Sequence, residues 1–157
     1  MALILVRIDD RLIHGQITVG WAQALRPDRI LLANDAVAQN PTQKRLYEAV
    51  VPPEMGVSIL TIDETMQSVE NGTFNVEKTF LIVESPKDVL ALQERGLGIR
   101  CVNVGGLHFS EGKRRLLPYV FVNEQDIDNL KELMAEGIEV ECRDVPSAKR
   151  VNMKDLL

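Results

Sequence analysis

The sequence has little cysteine and little histidine, with two residues of each type in a chain of 157. The cysteines, Cys101 and Cys142, stand far apart, and neither belongs to a CxxC or CxxH motif. Structural zinc sites and dithiol redox centres use closely spaced ligands, so the sequence supports neither kind of site. We therefore expect two reduced thiols, as in a cytoplasmic protein.

The chain also lacks a long apolar run and an excess of basic residues. Residues 1–8 are largely apolar but too few for a membrane-spanning helix, and Asp9 and Asp10 follow directly. No apolar segment precedes a small-residue cleavage site, so we expect no signal peptide. The net charge of -5 argues against nonspecific nucleic-acid binding. The length and the 45% of hydrophobic residues predict one compact domain over residues 1–157.

Nucleotide-binding motifs are missing as well. The sequence contains no GxxxxGK[ST] motif, which excludes a P-loop. Gly96 and Gly98 resemble the start of a dinucleotide-binding motif, but Cys101 stands at the third glycine position and the pair follows a predicted helix. No GxSxG serine-nucleophile motif occurs either.

Short apolar runs alternate with amphipathic segments along the whole sequence. Runs that are apolar throughout are typical of strands covered on both faces, and a repeated strand–helix order indicates parallel strands. We therefore predict the α/β class, a three-layer α/β/α sandwich with a mostly parallel six- or seven-stranded sheet. The predicted strands cover residues 2–8, 30–33, 57–62, 79–83, 99–104, 119–122 and 138–142, and the tail after Pro146 is predicted to be polar.

Residues that can cap helices precede four predicted helices. Asn40 and Ser85 are each followed by proline, which is favoured at the first helical position. Asp63 and Asn123 are the other predicted caps. A further helix is predicted from the spacing of Ile17, Trp21, Ala24 and Leu25, which assigns Trp21 to the core.

One segment, residues 9–16, combines two carboxylates, a guanidinium and an imidazole between the first strand and a helix. A helix start offers free amides and a positive dipole end for an anion. Arg11 adds a planar fork that matches phosphate oxygens. His14 supplies a nucleophilic ring nitrogen, and Asp9 or Asp10 can hold the other nitrogen. The segment resembles a histidine that accepts and passes on a phosphoryl group, although a solvated histidine beside a surface ion pair is the alternative.

Acidic pairs after a first strand also occur in receiver domains, which are phosphorylated on an aspartate. In that interpretation Asp63, Ser85 and Lys113 would be the partners at later strand ends. Against it, Asp63 is explained as a helix cap and His14 would have no purpose. The other histidine, His108, follows the fifth strand, where a surface-loop residue is favoured over a ligand at the same rim. The basic triplet Lys113–Arg115 forms either a solvated surface or a local docking patch beside the rim.

At four places the chain resembles a known family. Residues 7–16 (RIDDRLIHGQ) closely resemble the signature of IIB components of the mannose/fructose/sorbose family of the bacterial phosphoenolpyruvate-dependent sugar phosphotransferase system (PTS). Residues 33–38, 103–106 and the Val145-Pro146 pair are similar to further motifs of the family, whereas Ser85 before Pro86 departs from the expected asparagine.

The resemblance implies that a phosphorylated IIA component transfers its phosphoryl group to Nδ1 of His14. His14 then passes the group to a sugar while the membrane IIC and IID components translocate it. Arg11 matches the arginine that neutralises the phosphoryl group, and backbone amides of Gly15 and Gln16 contribute to its binding. Asp10 is counted with His14 and Arg11 as catalytic, and Asp9 with the phosphoryl-binding loop.

The resemblance further implies no metal ion, no organic cofactor and no nucleic-acid partner. It implies a cytoplasmic protein that associates peripherally with the permease. Mannose, fructose, sorbose and an amino sugar all remain as substrates, because specificity is expected to reside in the membrane components.

Overall fold

The computed structural model describes residues 1–157 and contains a seven-stranded, mostly parallel sheet with helices on both faces. The strand order is β3-β2-β4-β1-β5-β8-β9, and only β9 is antiparallel. The predicted three-layer α/β/α architecture is confirmed. The strands are β1 Ala2–Asp9, β2 Arg29–Ala33, β3 Gly56–Leu60, β4 Lys78–Val83, β5 Cys101–Gly106, β6 Arg114–Leu117, β7 Val120–Val122, β8 Glu139–Cys142 and β9 Val151–Asn152.

Six helices connect these strands. The first, α1, starts as a π-helical segment, Gln16–Trp21, and continues as an α-helix over Ala22–Leu25. The π-helical form is rare and often occurs at functional sites. The other helices are α2 Asp35–Ala38, α3 Pro41–Ala49, α4 Ile62–Glu70, α5 Pro86–Glu94 and α6 Glu124–Ala135, and a 3-10 turn covers Met153–Asp155.

The sheet separates two hydrophobic cores because alternate side chains of a strand point to opposite faces. In β4, Leu81 and Val83 belong to the larger core, which includes α5 and α6, whereas Phe80 and Ile82 belong to the smaller one. All four side chains are fully buried. Trp21 of α1 lies in the smaller core, as its spacing predicted.

The helix caps agree with the sequence at three positions and differ at one. Asn40 and Asn123 accept hydrogen bonds from backbone amides three residues further on, and Ser85 occupies the cap before Pro86. The prediction of Asp63 as a cap was wrong. Thr61 caps α4, because its hydroxyl accepts from the amide of Glu64 while β3 already ends at Leu60.

Two features of the later chain also differ from the expectations. The segment around residues 119–122 is not a strand of the main sheet but pairs with β6 in a separate antiparallel hairpin. The hairpin packs on Leu107, which follows β5, so β8 takes the place beside β5. The tail predicted as polar contains β9, which pairs with β8 and covers this edge of the sheet. No helix is long and apolar enough to cross a membrane.

Candidate active site

The carboxyl end of β1 lies where the strand order changes direction. The chain leaves β1 toward β2 on one side, whereas it leaves the neighbouring β5 toward β8 on the other. In open α/β sheets, ligand sites lie in such crevices. Arg7 and Asp9 point to the same face as Trp21, whereas Val6 and Ile8 point into the larger core.

A tight turn joins β1 to α1 and brings His14 back to Asp9. The amide of Leu12 donates to the carbonyl of Asp9, and Leu12 has a φ of 64°, a left-handed conformation that is rare for leucine. Burial of the Leu12 side chain in the smaller core holds this strained conformation. The carbonyl of His14 accepts hydrogen bonds from the amides of Ile17 and Thr18, so α1 follows directly.

The two ring nitrogens of His14 have different partners. Nε2 of His14 lies 3.0 Å from Oδ2 of Asp9. Because an ionised carboxylate only accepts hydrogen bonds, the proton of the neutral ring lies on Nε2 and the lone pair on Nδ1. Nδ1 faces the start of α1, where the amide of Gln16 donates to it at 3.3 Å. The histidine side chain is 20% exposed, so the ring is partly accessible from solvent.

Arg11 closes the site around the same carboxylate. Its Nε and backbone amide donate to Oδ1 of Asp9 at 3.0 and 3.1 Å, and its Nη2 donates to Oδ2 at 3.0 Å. Nη2 also donates to Oε1 of Gln16 at 3.0 Å. Arg11 is one-third exposed, so its guanidinium reaches both the buried carboxylate and the surface near His14.

Asp9 stays ionised although it is completely buried. Burial raises its pKa, but hydrogen bonds from His14 and Arg11 and the charges of Arg7 and Arg11 outweigh that effect. The pKa of Asp9 therefore lies well below its ordinary value. One carboxylate between two guanidinium groups leaves a local positive charge, which suits an anion even in a chain of net charge -5.

Arg7 is a further residue of the candidate site, to which the sequence alone assigned no role. It is fully buried, and burial lowers the pKa of its guanidinium. Its nitrogens donate to Oδ2 of Asp9, to Oδ1 of Asn103 and to the carbonyls of Arg143 and Asp144, at 2.7–3.3 Å. The guanidinium also lies 4.8 Å from the ring centroid of Trp21. Two signals pointed to Arg7: the signature over residues 7–16 begins with it, and it precedes Asp9 by two residues, so both side chains share a face of the strand.

Two adjacent glycines make room for these charged groups. A Cβ at Gly105 would overlap the guanidinium of Arg7, and a Cβ at Gly106 would lie 3.0 Å from Oδ1 of Asp9 and 3.3 Å from Nη2 of Arg11. The Gly105-Gly106 pair at the end of β5 therefore allows the backbone of this strand to approach the site closely.

The two acidic residues of the motif have different partners. Asp10 points to the second histidine: its Oδ2 accepts from the amide of His108 at 2.8 Å, and its Oδ1 contacts Nδ1 of the same residue. The amide of Asp10 donates to the carbonyl of Gly106. Asp10 therefore ties the turn after β1 to the loop after β5, while Asp9 alone contacts His14.

The other predicted candidates lie outside this cluster. Asp63 is exposed on α4 and pairs with Arg95, as expected of a surface residue and not of a receiver-type phosphorylation site. Lys113 lies 3.7 Å from Asp126, which leaves Arg114 and Arg115 as the exposed cations of the basic triplet.

The thiols and the acidic groups offer no second centre. Both cysteines are free, and burial raises the pKa of each thiol, that of Cys142 to about 12. Neither is therefore a ready thiolate near neutral pH. No group of three or more histidine, cysteine or acidic residues is arranged to hold a metal ion.

The fold and the site together define a class of protein. An α/β/α domain whose strand-order reversal holds a carboxylate-bound histidine, an arginine and a helix start has the groups that bind an anion beside a nucleophilic ring nitrogen. Proteins that transfer phosphoryl groups form a class to which this arrangement is suited.

Comparison with known proteins gives the family. A family model described as PTS system sorbose subfamily IIB component matches residues 3–157. The sorbose-specific EIIB component of Klebsiella pneumoniae is 34% identical over 99% of this chain and 94% of its own. The crystal structure of the IIBSor domain of the sorbose permease from the same organism covers 99% of this chain and 95% of its own, with a TM-score of 0.94 and 34% identity. The chain belongs to the sorbose subfamily of PTS IIB components.

One group of relatives is longer than this chain. The mannose-specific EIIAB component of Escherichia coli (strain K12) is 37% identical over the whole of this chain, which spans 49% of that protein. The chain thus corresponds to about half the length of this relative.

Replacement of Gly105 by alanine is expected to destabilise the protein by about 3 kcal/mol, because Arg7 must move out of its buried hydrogen bonds. Urea unfolding at neutral pH measures the change. Gly20→Ala is the matched control, since its Cβ would meet only Cδ of Pro146 at an ordinary 3.8 Å. Equal stability of the two variants would contradict the assigned role of Gly105.

The depressed pKa of Asp9 gives a second expectation. The pKa of Asp9 is lower in the folded than in the unfolded protein, so the ionised carboxylate stabilises the fold. This contribution to the free energy of unfolding is complete above about pH 4 and is lost as the pH falls toward the folded-state pKa. The free energy of unfolding of the parent chain minus that of Asp9→Asn should therefore decrease by about 1.4 kcal/mol per pH unit below about pH 4.

Acid-to-neutral urea titrations of both proteins test this dependence. Asp128→Asn, which changes an exposed carboxylate on α6 without an ion pair, is the control and should show no comparable slope. If the difference in the free energy of unfolding between the parent chain and Asp9→Asn did not depend on pH, Asp9 would not be held ionised.

Proposed function

We propose that the chain is the phosphoryl carrier of a sugar phosphotransferase system and that Nδ1 of His14 is the atom that carries the phosphoryl group. The observation that supports this most directly is the 3.0 Å contact between Nε2 of His14 and Asp9, which leaves the Nδ1 lone pair unprotonated. The family of the chain consists of such components. The receiver-like alternative is not favoured, because receiver domains are phosphorylated on an aspartate, and such a mechanism gives the contact between His14 and Asp9 no role.

The first transfer begins on a phosphohistidine of a IIA component. The Nδ1 lone pair of His14 attacks phosphorus, the phosphorus–nitrogen bond of the donor breaks, and the donor imidazole leaves with that electron pair. His14 then carries positive charge on its ring, which the carboxylate of Asp9 stabilises through Nε2–H. In the second transfer a sugar hydroxyl oxygen attacks phosphorus and loses its proton to water. The bond between phosphorus and Nδ1 breaks, its electron pair returns to the ring, and neutral His14 is restored.

Arg11 and the start of α1 provide the groups that bind the phosphoryl oxygens. The Nη2 group of Arg11 lies beside Gln16 and carries charge to the exposed side of the site. The amide of Gln16 already points at Nδ1, so it is placed to donate to an oxygen of a group bound there. Gly15, at the N-cap of α1, contributes a second amide of this helix start. Asp10 acts indirectly, by holding the loop at His108.

The partners follow from this relay. The phosphoryl donor is a IIA component, and the acceptor is the sugar presented by the membrane IIC and IID components. The chain acts as a single IIB domain over residues 1–157, in the cytoplasm and peripherally bound to the permease. The relatives are named for different sugars, among them mannose and sorbose, which fits a domain whose conserved task is the phosphoryl relay.

The hairpin formed by β6 and β7 offers a docking surface for the donor. Arg114 and Arg115 are exposed on β6, after the loop that Asp10 ties to the site. A phosphorylated donor is anionic at its active centre, and charge complementarity accelerates a short-lived encounter. Arg11 extends the positive surface to His14.

Phosphorylation of the purified chain tests the central proposal. With phosphoenolpyruvate, the general phosphotransferase proteins and a cognate IIA component, we expect acid-labile label on the parent chain and none on His14→Ala. Nitrogen-15 NMR of the histidine rings should place the phosphoryl group on Nδ1.

Asp63→Ala is the matched control, and it should be labelled like the parent chain. Label that persists in His14→Ala, or that disappears in Asp63→Ala, would contradict the proposal, and label on Nε2 would contradict the role of Asp9.

Reversal of charge on the hairpin tests the docking surface. The double variant Arg114→Glu/Arg115→Glu should accept the phosphoryl group from IIA about tenfold more slowly at low salt, and the difference should shrink at high salt because ions screen exposed charges. Lys44→Glu/Arg45→Glu on α3 changes the net charge equally and should react like the parent. An unchanged rate and an unchanged salt dependence in the hairpin variant would exclude this surface.

A further inference from the structure

The central sheet contains a gap at the end opposite to His14. The strand β1 pairs with β4 along Ala2–Ile8, but it pairs with β5 only from Arg7 to Asp9. Below Arg7 the two strands diverge, and a cleft of about 410 Å³ lies between residues 3–6 on one side and residues 97–101 on the other. Its volume is within the range of roughly 300–1,000 Å³ that small-molecule sites occupy.

Most side chains that line this cleft are hydrophobic, but one of its walls exposes an open backbone edge. On the side that faces β5, residues 3–6 have no strand partner, although β1 is an interior strand of the sheet. Val6 is only 3% exposed, whereas Leu3, Ile4 and Leu5 are half-buried. On the opposite wall the amide of Ile99 already donates to Oε1 of Gln93, so the open backbone edge of the cleft is that of residues 3–6. Buried backbone amides and carbonyls need hydrogen-bond partners, and a hydroxyl group, which both donates and accepts, can pair with this edge.

A buried carboxylate of the cleft also lacks a partner. Glu141 lines the cleft and is 3% exposed. Its Oε1 accepts hydrogen bonds from Asn103 and Arg143, but its Oε2 has none. An acceptor that is buried without a partner is costly, and a hydroxyl donor in the cleft would remove that cost.

Two arginines give the cleft an affinity for anions. Arg100 and Arg150 line it, both are exposed, and neither forms an ion pair with a carboxylate of the chain. Free guanidinium groups bind phosphate oxygens through paired hydrogen bonds. The cleft thus combines sites for hydroxyl groups in its interior with a site for an anion at its surface.

We propose that the cleft between residues 3–6 and 97–101 is a second binding site, separate from His14, and that it takes a small hydroxylated anion of the hexose phosphate class. The hydroxyl groups bond to Oε2 of Glu141 and to the open backbone edge of residues 3–6, and the phosphate bonds to Arg100 and Arg150.

Titration of the nitrogen-15-labelled full chain with mannose 6-phosphate tests this site. We expect saturable shifts of the amides of residues 3–6 and 97–101. Arg100→Ala/Arg150→Ala should weaken binding at least tenfold, since each variant loses a charge-assisted contact. Arg45→Ala, which removes an exposed arginine of α3 that lies in neither site, is the control and should bind like the parent.

Two further titrations identify the ligand chemistry. Inorganic phosphate and unphosphorylated mannose should each bind at least tenfold more weakly than mannose 6-phosphate, and equal shifts with phosphate alone would overturn the hydroxyl assignment. His14→Ala should bind the hexose phosphate like the parent, so the result is independent of the phosphoryl relay. Absence of shifts at millimolar concentration, shifts confined to residues 14–16, or unchanged binding by the double arginine variant would each overturn the second site.

Discussion

The site depends on one buried carboxylate. Asp9 has no exposed surface, yet it accepts hydrogen bonds from two arginines and from a histidine. Removal of an ion from water is strongly unfavourable unless its charge and lone pairs are fully compensated. Arg7 compensates it from within the sheet and Arg11 from the surface, so both oxygens of Asp9 are occupied. The orientation of His14 follows from this arrangement, because Oδ2 of Asp9 fixes the ring nitrogen that holds the proton.

The buried charge in turn constrains distant parts of the fold. Arg7 links β1 to Asn103 of β5 and to the carbonyls of Arg143 and Asp144 after β8. The indole nitrogen of Trp21 donates to the same carbonyl of Asp144 at 2.8 Å, so α1 joins this network. The histidine therefore stands on a rigid polar layer that crosses three strands. Preorganisation of this kind places charged groups before the reaction and avoids rearrangement during it.

The sequence predicted most of the architecture because the information is local. The apolar runs marked six of the seven strands of the main sheet, and Asn40 and Asn123 marked the helix starts where the structure has them. The errors arose where local patterns allowed more than one outcome. Thr61 and Asp63 are both capping residues two positions apart, and the end of β3 decided in favour of Thr61. The hairpin strand over Val120–Val122 has the pattern of a sheet strand, but its partner depends on the path of the chain after Leu107.

In the candidate site, too, some features follow from the local sequence and others from the fold. By itself the sequence determined which chemical groups follow the first strand, because strand, turn and helix start are read from neighbouring residues. It did not determine which carboxylate serves His14. Asp9 takes that place because it ends β1 on the face of Arg7, whereas Asp10 turns to His108, 98 residues further along the chain. Only the tertiary structure decided between Asp9 and Asp10. The hydrogen-bond partners of a buried carboxylate come from several strands, and these strands meet only when the whole sheet is packed.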